Sequence, residues 1–72
     1  MPPRILPHLL RRLKRLRLSS GLTQEQFAER AGMSYKYYQQ IEAGRKADLR
    51  LSTLEKLAKA HRLTLARLLS ED

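Results

Sequence analysis

Lys36, Gln39 and Gln40 stand at spacings that bring all three to one side of a short helix. At about 100° per residue, Ser34, Tyr38, Ile41 and Glu42 fall on the other side, with Tyr35 and Tyr37 on the flanks. The outward residue types suit the edges of nucleic-acid bases, since glutamine pairs bidentately with adenine and lysine donates to guanine. Arg45 and Lys46 follow at once, placed to meet phosphate. A polar helix face is often only solvated; the punctuation around this one argues for more.

That punctuation defines two helices. Thr23 begins the first, and Gln26 three residues later can return the bond in a capping box. Gly32 ends it, a position where positive φ favours glycine. Ser34 can then cap a second helix that Gly44 closes. Two helices of about eight residues joined by so tight a turn must cross steeply, which is the helix-turn-helix arrangement. Tyr38 and Ile41 are expected inward, with the Tyr38 hydroxyl reaching the surface.

Other elements must support this pair. Residues 1–7 are expected to form a flexible arm and residues 8–70 a single domain. Pro7 suits the first position of a helix in which Leu9, Leu10, Leu13, Leu16 and Leu18 make an apolar stripe among Arg11, Arg12, Lys14, Arg15 and Arg17. Alone, such a basic amphipathic helix could lie on a membrane or bind a protein. Beside the helical pair it reads as the first helix of a bundle, with leucines to spare for a dimer contact. Leu22, Phe27, Ala28 and Ala31 share a face of the next helix. A fourth helix begins near Leu51 or Ser52, with Ser52 and Glu55 as a possible capping box, presents Leu51, Leu54, Leu57 and Ala58, and ends near His61. Leu63 to Leu69 supplies a fifth, with Leu65, Leu68 and Leu69 on one side. The expected fold is all-α, five short helices around one small core.

Composition narrows the chemistry. The 72 residues carry a net charge of +8 and no cysteine, so a polyanionic partner is implied and a disulfide frame or thiolate metal site is excluded. There is no 18-residue apolar run to span a membrane and no signal-peptide pattern at the N-terminus, so a cytoplasmic protein is expected. His8 and His61 lie far apart and neither sits by a carboxylate pair, so each reads as a helix-end residue. The seven acids are scattered among caps and helix faces. No enzyme, cofactor or metal is expected.

The order Leu13, Leu16, Arg17, then GLTQEQFAERAGMS, YYQQIEAGR and LSTLEKLAKA resembles the helix-turn-helix family of lambdoid phage repressors and Cro proteins, the XRE family, over residues 9–69. The resemblance implies a DNA-binding fold, usually dimeric, with the third helix in the major groove of double-stranded DNA. Tyr35, Lys36, Gln39 and Gln40 match base-reading positions. Gln24, Ser34 and Arg45 match phosphate-contacting positions, Gln24 from the start of the second helix, and Lys46 joins them by its place beside Arg45. Arg17 and Glu42 match a structural ion pair between the first and third helices. The function implied is a transcriptional regulator, a repressor acting as a homodimer on a palindromic operator. The alternative is an antitoxin-type module whose main role is binding a partner protein. The chain departs from the family pattern in three places. The stretch from Gly44 to Leu51 is one residue longer and lacks a proline, Arg62 stands where many members carry glycine, and three tyrosines crowd the third helix.

Overall fold

The computed structural model describes residues 5–46 and 48–70, in five helices: α1 (Ile5–Ser19), α2 (Gln24–Ala31), α3 (Tyr35–Glu42), α4 (Leu51–Ala60) and α5 (Leu65–Leu69). No strand occurs among the described residues. The two central helices start and stop where their punctuation dictates. The Gln26 amide donates to the Thr23 hydroxyl at 3.1 Å and the Thr23 amide donates back to the Gln26 side chain at 2.9 Å, a complete capping box. Ser34 caps α3 by accepting from the Tyr37 amide at 3.1 Å.

Each helix packs through its apolar side, α2 against α3 and α4, α4 against α5, and α1 against α3 and α5. Leu9, Leu13, Phe27, Tyr38, Ile41, Leu57 and Leu68 are fully buried. Phe27 sits at the centre, its ring tilted against Tyr38 at 4.9 Å and stacked on His61 at 4.4 Å. His61 closes α4; burial, reinforced by the charge of Arg30, holds its imidazole below the ordinary histidine range. His8 donates from Nε2 to the Ser70 carbonyl at 2.8 Å, joining the start of α1 to the end of α5.

Several boundaries and faces differ from the sequence expectation. Helix α1 begins at Ile5, so Pro7 is its third residue rather than its first; a missing N–H is tolerated there because the first turn has no internal acceptor for it. Residues 1–4 of the expected arm lie outside the described residues. Ser52 does not cap α4: Arg50 holds the cap position without a side-chain bond. Leu51 is 62% exposed and Thr53 takes a place in the core instead, because the first helical residue lies at the rim of the buried face. Helix α5 starts later than Leu63, capped by Thr64 accepting from the Arg67 amide at 3.1 Å. The leucines expected as surplus are largely used: Leu10, Leu16, Leu65 and Leu69 pack partly buried against the core, and only Ile5 and Leu18 of α1 remain large and exposed. Leu9 and Leu13 are buried inside the bundle, so α1 has no free leucine stripe to lay on a membrane. No helix among the described residues is long and apolar enough to cross one.

The helix ends share a device. At Gly32 (φ 73°) the Gly32 amide bonds the Glu29 carbonyl and the Met33 amide bonds Ala28, the paired bonds of a left-handed cap. The same pair closes α4, from Arg62 to Lys59 and from Leu63 to Ala58, yet Arg62 is not a glycine and takes φ 58°. Left-handed backbone costs a residue with a Cβ about 1–2 kcal/mol, while glycine raises unfolded-state entropy by about 0.4–1 kcal/mol. Arg62→Gly is therefore expected to stabilise the protein by about 0.5–1 kcal/mol, read as a higher melting temperature; a lower one would refute the strain at this turn.

Candidate nucleic-acid interface

An eight-residue helix is too short to hold its shape alone, so α3 depends on what clamps it. Its inner side carries Tyr38 and Ile41, both fully buried. At its last turn Glu42 receives Arg17 of α1 through two parallel bonds, Nε to Oε2 at 2.9 Å and Nη2 to Oε1 at 2.8 Å. The two side chains are only 9% and 4% exposed. Arg17 also donates to the Leu22 carbonyl at 2.9 Å, and Gln24 of α2 donates to Glu42 Oε1 at 3.1 Å. One carboxylate thus gathers three helices. Burial alone would raise the Glu42 carboxyl, but hydrogen bonds from its neighbours and the Arg17 charge outweigh it and hold the group below its usual range. The same contact with Glu42 raises Arg17.

The Tyr38 hydroxyl does not reach the surface as expected. It is buried beside the Arg17–Glu42 pair without a well-formed hydrogen bond, and burial, then the Glu42 carboxylate, pushes its pKa up. The ring fills the core so completely that its oxygen ends under the ion pair rather than outside it.

With Glu42 turned inward, the outer side of α3 carries no acid. Lys36 and Gln39 are exposed and Gln40 is half-buried. These three, with Ala43 and Arg45, line one shallow depression of about 300 Å³. Tyr35 is 44% exposed at the helix start. Ser34 is exposed; its oxygen accepts the capping bond, and its proton remains available to donate. Gln24 is half-buried, with one amide hydrogen committed to Glu42 and a second available. Lys46 folds back so that its ammonium stands 5.5 Å from the centre of the Tyr37 ring, a cation–π contact that holds it beside the helix. The Gln24–Glu42 and Lys46–Tyr37 contacts are invisible in the sequence: no local spacing signals them, because the partners meet only when α2 has docked on α3 and the loop after α3 has folded back.

Helix-turn-helix is the class this geometry defines. The helix-turn-helix family pattern matches residues 13–68, covering all of α2 to α4, the C-terminal part of α1 and most of α5. The chain belongs to that family, in its XRE branch, and is a DNA-binding regulator of the helix-turn-helix type. No curated protein and no solved structure matched the chain.

Removing one member of a buried pair strands the other charge, at about 3–5 kcal/mol. Arg17→Ala and Glu42→Ala are each expected to lose that much in urea unfolding, a large share of what so small a domain has. The double change Arg17→Met with Glu42→Leu, which strands no charge, should cost less than either. Additive losses in the double variant would show that the pair does not act as a unit.

Proposed function

We propose that this regulator is a cytoplasmic repressor that binds a palindromic operator as a homodimer, with α3 in the major groove of double-stranded DNA. Tyr35, Lys36, Gln39 and Gln40 read bases; Gln24, Ser34, Arg45 and Lys46 meet phosphates. The observation that carries this reading is the sorting of charge on α3: its one acid is tied inward to Arg17, and a lysine, two glutamines and Arg45 line a single outward depression. Glutamine and lysine offer the donors and acceptors that distinguish base pairs from the major-groove side, and the surrounding excess of cations supplies the affinity that is common to all sequences.

The dimer follows from how little one module can read. A single domain of this size makes few base contacts, and telling one site from a genome of competitors calls for two modules on half-sites about 34–36 Å apart. Ile5 and Leu18 leave apolar surface on α1 for such a contact. Repression is the economical outcome, since occupying a promoter blocks it without a further surface for recruiting another protein.

Selection from random duplexes followed by competition tests the reading helix. Lys36→Ala or Gln40→Ala is expected to flatten preference at one operator position by about 1–3 kcal/mol while binding to unrelated DNA persists. Unchanged base preferences in both variants would remove these residues from the reading set. Arg45→Ala should instead weaken every duplex alike and lower the slope of log affinity against log salt by about one; an unaltered slope would show that Arg45 neutralises no phosphate.

A further inference from the structure

A second cationic depression, of about 550 Å³, lies away from the outward face of α3. Four cations from three parts of the fold line it: Arg30 in the last turn of α2, Lys56 and Lys59 on α4, and Arg62 in the turn that follows. Gly32 forms part of its wall, and no acid does. All four cations are exposed, and none forms an ion pair among the described residues. The adjoining depression, which shares Lys59 and Arg62, contains Glu55; one carboxylate against four cations still leaves a surplus of positive charge.

Arg62 supplies the second observation. Its backbone is left-handed at φ 58°, the one non-glycine with positive φ among the described residues, whereas Gly21, Gly32 and Gly44 hold the other such positions. A strained backbone points toward a function for the side chain it carries, and what glycine would remove here is a cation from a depression that three other cations line.

We propose that this depression binds a small anion rich in phosphate, such as a free diphosphate or triphosphate group. Arginine's planar fork matches phosphate oxygens bidentately and lysine adds compact charge. Four cations lining one depression suit an anion of three or four charges better than a single carboxylate. The volume falls in the range that small ligands occupy. A nucleic-acid backbone is the less suitable occupant, because the site includes none of the outward residues of α3 and lies at the opposite end of α2 from Gln24.

The test is an amide-shift titration of the whole protein with sodium pyrophosphate at constant ionic strength. Saturable shifts are expected at Gly32, Lys59 and Arg62. Arg62→Gly should weaken pyrophosphate binding about tenfold while folding at least as stably as the parent and binding a random-sequence duplex equally well. Arg15→Ala, which removes the same charge from the exposed side of α1, should leave pyrophosphate affinity unchanged. The proposal is overturned if the shifts do not saturate, if they centre on Lys36 and Arg45, or if Arg15→Ala weakens binding as much as Arg62→Gly. Loss of duplex affinity in Arg62→Gly would also overturn it, by assigning the depression to the DNA backbone. None of these outcomes depends on which bases α3 reads.

Discussion

The rest of the molecule depends on the clamp at Glu42. Helix α3 has eight residues, fewer than an isolated helix needs to persist in water, so its rigidity is borrowed. The loan comes from two sides: Tyr38 and Ile41 driven into the core, and a carboxylate held by a guanidinium from α1 and an amide from α2. Burial of Tyr38 and Ile41 sets which side of the helix turns inward. A bidentate arginine–carboxylate contact has a defined direction and distance, so it fixes the rotation of α3 about its axis and thereby which side chains face outward.

The same contact sorts charge. A protein of +8 in 72 residues attracts polyanions without discrimination. Discrimination needs polar groups held at known positions, free of a nearby acid that would compete with phosphate for the same cations. Turning Glu42 inward does both at once: the acid becomes the anchor, and Lys36, Gln39, Gln40 and Arg45 share a surface that it does not touch. Lys46 is held differently, over the ring of Tyr37, which gives a role to one of the three tyrosines crowding this helix.

Turn geometry is the second constraint. Helices of five to fifteen residues in so small a domain must be broken sharply, and the left-handed cap does this with two backbone bonds each time. At Gly32 the cap sets the angle between α2 and α3. At Arg62 the same geometry is kept without the residue that adopts it most easily, and a cation stands between α4 and α5.

Much of the fold was legible in the residues themselves. Thr23, Gln26, Gly32 and Ser34 mark α2 and α3 because capping and left-handed closure are local events, decided within four or five residues. The inward set of α3 was legible from period alone, as were Phe27, Ala28, Leu54 and Leu57. What failed were the features that local spacing does not decide: Ser52 matched the form of a capping box but lies inside α4, and Leu51 fits the apolar period yet stands at the exposed rim. The sequence by itself determined where the chain bends and which faces are apolar, since both follow from single residues and their immediate neighbours. Only the tertiary structure decided that the Tyr38 oxygen ends beneath the ion pair, that Gln24 joins Glu42, and that Arg30, Lys56, Lys59 and Arg62 line one depression, because those arrangements exist only once helices distant in the chain have packed.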